Sequence, residues 1–534
     1  MRGRIHNKLS RLLIAAALGA LSACGGGGGS GGGSSSSGST GSGWVAGVYL
    51  PAANFAAHCA APRSGIDPTT GRPFPDVAGS TLSENNWLRS WTNDLYLWYD
   101  EVVDRDPALY TTPAYFGLLK TTATTPSGNP KDKFHFTFDT SAWVALSQSG
   151  VSAGYGAEWE VVAAVPPRRI VVAYTEPNSP AIAAGLTRGF EVMSIDGVDA
   201  VNDNTQSGVD TLNAGLSPQT VGETHTFTVR DLGGVSHVVT MQAANVTLAP
   251  VQNVEAIPTV AGPVGYLLFT DHIATAESAL IDAVNTLKAA SITDLVLDIR
   301  YNGGGYIDIA SELAFMIAGS GFTAGKTFEL TVFNAKHPSI DPFTGGPLLP
   351  IRFHTTTQGF SVASGTPLPT LNLSRVFVLT GAGTCSASES IINSLRGVGV
   401  QVIQVGSTTC GKPYGFVPQD NCGTTYFSIE FKGVNAVGFG DYPDGFSPAN
   451  SLGGAAGTLV PGCSVADDFS HALGDPNESR LAAALTYRAG SPCPAPSGFA
   501  PPRLNVSVQA APASPANPLV VAKPPWRENR MLRQ

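Results

Sequence analysis

From residue 264 onward, short apolar runs rich in β-branched residues alternate with segments of helical periodicity, and this alternation constrains the fold more than any other feature. Strands are predicted at Gly265 to Phe269, Leu295 to Ile299, Val376 to Leu379 and Val400 to Val405. Helices are predicted at Ala274 to Ala289, Ile307 to Ile317 and Ser388 to Leu395. Strands and helices in alternation bury their apolar faces as stacked layers, so residues 248–493 are expected to form an α/β core. Upstream the texture differs. Between 149 and 247, runs such as Ile170 to Ala173, Phe190 to Ile195 and His225 to Arg230 are separated by turn clusters like Asp196-Gly197, which predicts a small β-rich module. From 81 to 148, Leu82, Trp87, Trp91, Leu95 and Trp98 recur at helical intervals and Tyr115 to Leu119 continues the pattern, which reads as a helical region with an aromatic core stripe. With 534 residues and 43% hydrophobic positions, the chain can bury two or three cores. The fold class is α/β, in an α+β multi-domain arrangement.

The two ends read differently. Arg2, Arg4, Lys8 and Arg11 precede the apolar run Leu12 to Leu21, so residues 1–23 read as an export signal. Leu21-Ser22-Ala23-Cys24 resembles a bacterial lipobox, with Cys24 as the lipidated residue; ordinary signal cleavage is the plainer alternative. Residues 25–43 are all Gly, Ser and Thr, the composition of a flexible tether, and 44–80 are loop-rich. Beyond 494 the chain is rich in Pro and Ala without periodicity and reads as a disordered tail. Without residues 1–23 the chain carries 27 basic against 40 acidic residues, a formal charge of −13, which argues against a nucleic-acid partner. Six cysteines remain after Cys24, an even number in an exported chain, and disulfides are expected. Proximity pairs Cys410 with Cys422 and Cys463 with Cys493.

Three segments carry candidate chemistry. Thr384-Cys385-Ser386-Ala387-Ser388-Glu389 lies between a strand and a helix, where Ser386-x-x-Glu389 fits a helix capping box. The same position exposes amides and the positive end of a helix dipole beside a hydroxyl, as a serine nucleophile requires. The two readings are compatible. No Gly-x-Ser-x-Gly elbow or triad histidine accompanies the serine, so another base must take its proton. Gly406-Ser-Thr-Thr-Cys-Gly411-Lys412-Pro413 approximates a phosphate loop but places Pro413 where a magnesium-binding hydroxyl belongs. Lys412 is either a solvated lysine or a partly desolvated general base. Asp298-Ile-Arg300-Tyr-Asn302-Gly303-Gly304-Gly305 reads as a tight turn or as an oxyanion hole. His135 and His272 have no partner motif and are read as structural. No metal-ligand spacing such as His-Glu-x-x-His occurs, and neither metal nor cofactor is implied.

In this order and spacing, the three segments resemble the carboxyl-terminal processing, or tail-specific, serine peptidases that use a Ser-Lys dyad. The resemblance covers roughly residues 81 to 490 and implies a crotonase-like or ClpP-like core. It implies Ser386 as nucleophile, Lys412 as general base, and the amides of Ala387 and Gly305 as oxyanion donors, with Gly304 the alternative to Gly305. It also implies a PDZ-like module at 149–247, with Gly154-Tyr155-Gly156-Ala157 as its carboxylate-binding loop and Ser179-Pro180-Ala181 to Gly185-Leu186 continuing the match. Such a module receives a C-terminus as an added strand. Many members carry a glutamine four residues after the lysine; here that position is Phe416. Cys385 and Cys410 flank Ser386 and Lys412, where a disulfide would brace both loops.

The expectation is an exported, membrane-anchored endopeptidase acting on peptides or unfolded proteins outside the cytoplasm, with the outer membrane as its anchor and its body facing the periplasm, the cell surface being the alternative. The alternative is a catalytically inactive PDZ-type peptide-binding lipoprotein. Oligomeric state is not legible.

Overall fold

The computed structural model describes residues 44–68, 70–218, 220–451, 457–497 and 530–531. The export signal, Cys24, the tether and most of the tail lie outside the described residues. Among the described residues, no helix is long and apolar enough to cross a membrane.

The α/β core is built on a six-stranded sheet. Its order is Val251–Ile257, Val264–Phe269, Asp294–Asp298, Arg375–Thr380, Gln401–Gly406 and Gly462–Ser464. The first pair is antiparallel and every later pair is parallel. The central strands read as unbroken apolar runs because both faces are covered. Alternate side chains serve two cores. Leu267, Phe269, Leu295, Leu297, Val376 and Val378 pack with helices Ala276–Ala289, Ile307–Ala318 and Ala387–Gly397. Tyr266, Leu268, Val296, Phe377 and Leu379 face the other way, toward helix Ser479–Arg488. The predicted strands and helices of this region fall within two residues of the observed ones.

Residues 151–247 close a separate β-rich body around its own apolar cluster, which includes Tyr155, Val172, Leu212, Phe227 and Val229. Its sheet runs Ser236–Gln242, Thr224–Arg230, Glu191–Ile195, Arg169–Thr175 and Ala157–Ala163, so Ala157–Ala163 is an edge strand.

Two expectations about the N-terminal region need correction. The helix Thr81–Leu95, opened by Ser80 accepting a hydrogen bond from the Ser83 amide at 3.2 Å, stops before Trp98. Tyr96 turns extended there, and the Leu97 amide donates to the Ile429 carbonyl at 2.8 Å. Trp98 instead meets Tyr414 edge-on at 4.7 Å. Nor is the region wholly helical, since strand Phe136–Asp139 pairs antiparallel with Thr424–Phe427 of the core. The aromatic stripe is core as expected, with Trp87 and Trp91 buried and stacked at 5.2 Å.

The disulfide guesses are also corrected in part. Cys463 joins Cys493 and Cys385 joins Cys410, but Cys422 joins Cys59 rather than Cys410. Proximity in sequence failed for Cys422 because hairpin Gln419–Asn421 and Thr424–Phe427 carries it toward residues 57–59, where the Ala57 amide donates to Asn421 Oδ1 at 2.8 Å. Finally, the tail is not featureless: Arg530–Met531 forms a short strand parallel to Gly305–Tyr306.

Candidate active site

Three neighbouring parallel strands, ending at Asp298, Thr380 and Gly406, release their loops at the same carboxyl edge of the sheet. This register puts the Asp298–Gly305, Gly381–Ser386 and Ser407–Lys412 segments side by side, at the position where open α/β sheets place their ligands. Side chains then stitch the loops together. Thr384 Oγ1 donates to the Ile299 carbonyl at 2.8 Å, and both the Cys385 amide and Ser388 Oγ donate to the Asn302 carbonyl.

Ser386 is fully buried and holds φ +63°, ψ −116°, a conformation that L-residues rarely keep unless their surroundings impose it. Its Oγ has no hydrogen-bond partner among the described residues. It precedes helix Ala387–Gly397, whose first amides have no intrahelical acceptor and carry the positive end of the dipole. Glu389, in the next turn, accepts from the Ser386 amide at 3.0 Å, the carboxylate half of the predicted capping box. The same carboxylate accepts from the Gly411 amide at 2.9 Å, the Lys412 amide at 2.8 Å and Thr409 Oγ1 at 2.5 Å. One buried acidic side chain thus clips the serine loop to the lysine loop. Burial pushes its carboxyl upward, and the Thr409 hydroxyl and the three amides oppose that shift. The Cys385–Cys410 disulfide closes the two loops a second time. Both sulfurs are spent in that bond, so with Glu389 they offer no thiolate set for a metal.

Lys412 is fully buried, with Nζ 4.4 Å from the Phe416 ring centre and 4.7 Å from that of Phe134. Phe416, at the position where the resemblance calls for glutamine, therefore meets the lysine through a ring face. Phe134 comes from the N-terminal region, and sequence gave no signal for it.

Gly304 and Gly305 hold φ +103° and +141°. A Cβ on Gly305 would sit 2.5 Å from the His272 carbonyl oxygen, so only glycine fits. The Gly304 amide donates to Asn302 Oδ1 at 2.9 Å and is thereby engaged, which leaves Gly305 as the better of the two candidate donors. The His272 amide donates to the Gly304 carbonyl at 3.1 Å, and the Tyr306 amide donates to the His272 carbonyl at 2.9 Å. Because successive peptide groups of a strand face opposite edges, the amide and carbonyl of Gly305 point away from His272. His272 is buried, its basicity lowered to about 3 chiefly by desolvation, and Nδ1 lies 2.9 Å from Asn302 Oδ1. Through its backbone pairing, His272 shapes the glycine loop from a distant strand end.

Gly154, Tyr155 and Gly156 lie far along the chain from this site and line a cleft of the β-rich body with Trp159, Leu216 and Leu248. Tyr155 is buried, and its carbonyl accepts from the Ala181 amide at 2.9 Å. The cleft opens beside the edge strand Ala157–Ala163, which has no neighbour on its outer side among the described residues.

Residues 263–417 match the model of peptidase family S41. A carboxyl-terminal-processing protease of Picosynechococcus is 24% identical over 268 residues, 50% of this chain and 56% of that protein. Carboxyl-terminal-processing peptidase 2, chloroplastic, of Arabidopsis thaliana is 26% identical over 174 residues, 32% of each chain. The matched stretches thus span about half or less of these relatives. A crystal structure described as an S41 protease from Bacteroides fragilis has a TM-score of 0.55 and 22% identity, covering 78% of this chain and 98% of that one, and so shares the fold. The similarity to peptidase family S41 thus lies in the α/β core, over residues 263–417.

Proposed function

We propose that this protein is a serine endopeptidase working outside the cytoplasm, anchored to a membrane through Cys24. In this reading Lys412 accepts the proton of Ser386 as Oγ attacks a peptide carbonyl. The oxyanion lies against the amides of Gly305 and Ala387, the amine leaves with a proton, and water then releases the acyl group. The observation that carries the reading is Glu389, which binds the backbone amides of Ser386 and Lys412 with one carboxylate. A capping residue needs only the first of these bonds. The strained backbone of Ser386 adds support, since such strain persists where the surroundings over-determine it.

The β-rich body would present substrates as a PDZ-like domain does. A peptide C-terminus would add a strand beside Ala157–Ala163, with its carboxylate at Gly154-Tyr155-Gly156. The chemistry that suits this is a peptide or unfolded protein with a free, apolar C-terminus.

One observation favours the non-catalytic alternative: two ring faces against Lys412 Nζ stabilise the ammonium rather than the free amine. The test is cleavage of an unfolded protein with a free C-terminus by the purified protein and its Ser386→Ala and Lys412→Ala variants. Cleavage is expected in the parent and in neither variant. Binding without cleavage by the parent would transfer the assignment to the peptide-binding alternative.

A further inference from the structure

The last described residues of the chain lie in the candidate active site. Arg530 pairs with Gly305 and Met531 with Tyr306 in a parallel ladder, and Met531 also bridges Phe416 in parallel. Met531 is 1% exposed, as buried as the core residues around it. The pairing uses the edge of Gly305 that faces away from His272, the edge to which its amide and carbonyl point. On the other side, Phe416 is also the ring beneath Lys412 Nζ. The segment therefore fills a slot bounded by the glycine loop on one side and the lysine's aromatic support on the other.

We propose that this slot is a binding site for an extended peptide carrying a methionine-sized apolar side chain, and that its resident occupant is the chain's own Arg530–Met531 segment, which closes it in cis. Main-chain pairing with Gly305–Tyr306 supplies the strand register, and the buried Met531 supplies selectivity, the division of labour of strand-addition recognition. The cost of closing a chain back on itself rises slowly with its length, so residues 498–529 between the body and the strand do not preclude it. A substrate reaching the Gly305 edge must displace this strand. The effect on cleavage rests on the peptidase reading above; the occupancy does not.

The experiment is done on the full chain in a Ser386→Ala background, where no probe is cut. The probe is a synthetic peptide of residues 526–534 with a fluorophore at its N-terminus, and the readout is anisotropy. Replacing Met531 by Asp in the chain should open the site and tighten probe binding by about 10- to 100-fold, the range expected for one buried methionine side chain. Met531→Ala gives the same direction without a buried charge and stands in if Met531→Asp fails to fold, as judged by its thermal transition. A probe carrying the Met531→Asp change should bind at least about tenfold more weakly than the native probe. Equal affinity of the probe for parent and both variants, or equal binding of the two probes, overturns the proposal. Blockade that deepens with protein concentration would assign the strand to a second copy and overturn the assignment in cis. With Ser386 intact, Met531→Asp should lower KM for a peptide substrate and leave kcat unchanged. If the binding results hold but nothing is cleaved, the peptidase reading fails and the occupancy stands.

Discussion

Glu389 ties the Ser386 loop to the Lys412 loop, because its Oε2 accepts from the backbone amides of both residues while Oε1 accepts from the Gly411 amide and Thr409 Oγ1. A glutamine offers one acceptor oxygen and turns an amide NH2 toward donors. Glu389→Gln is therefore expected to lower kcat for peptide cleavage by about 100-fold through misplacement of the dyad. It should cost about 1–3 kcal/mol of stability, read by thermal unfolding, since buried donors lose their acceptor. A second carboxyl makes a pH prediction. Glu312 is buried beside Glu277, whose carboxylate accepts from the amides of Gln358, Ser361 and Val362. Burial first, then the Glu277 charge, pushes Glu312 up to about 9. Unfolded, it would lose its proton near 4.5, so between these limits the folded chain holds one more proton and stability falls as pH rises. The melting temperature of the parent should decline between pH 7 and 9.5, and Glu312→Gln should flatten that decline. A parent profile no steeper than the variant's would refute the assignment.

At the scale of elements, the site depends on three loops leaving adjacent parallel strands and on the cross-links that keep them in register. The Cys385–Cys410 disulfide spans 25 residues, and closing such a loop limits the unfolded chain by about 3 kcal/mol. The Cys385→Ser, Cys410→Ser double variant should unfold at lower denaturant by a corresponding amount. Its cleavage rate should fall less than that of Glu389→Gln, because the carboxylate clip still joins the loops. The glycine loop has no such redundancy. Gly305→Ala would push a methyl onto the His272 carbonyl in a left-handed backbone region, and a loss of cleavage of about 100-fold or more is expected from displacing one oxyanion donor.

At the scale of the whole molecule, the β-rich body is fastened to the core by an arginine relay. Arg188 donates to Asp467 at 2.7 Å, to Tyr301 Oη at 2.7 Å and to the Asp468 and His471 carbonyls. Arg300, buried in the core, donates to Asp467 at 2.8 Å and to both oxygens of Glu478. Burial alone would raise the Asp467 carboxyl, yet Arg480, Arg300 and Arg188 hold it well below the usual range. Arg188→Ala leaves Asp467 two cationic partners and strips three carbonyls, including that of Ala173, of a donor. A loss of about 1–3 kcal/mol is expected, together with faster proteolysis between body and core. An unchanged melting curve and digestion pattern would show that the relay does not fasten the two.

Much of this was legible in the sequence because it is local. Period-2 and period-3.6 patterns reveal strands and helices, which is why the elements from Val264 to Gly406 fall where the alternation placed them. Motif spacing brought Ser386, Lys412 and Gly305 into one hypothesis because each follows a strand of the same sheet. What sequence left open depended on contacts between distant residues. The Cys59–Cys422 pairing, 363 residues apart, follows from a hairpin's position rather than from cysteine spacing. Trp98 fitted a helical stripe but left it when Leu97 found a partner at Ile429. The engagement of Gly304 by Asn302, the support of His272 behind Gly305, and the rings of Phe134 and Phe416 around Lys412 came only from tertiary structure. So did Met531, whose tail has no periodicity of its own: an isolated two-residue strand is specified by the edge it joins, and that edge exists only once the core has folded.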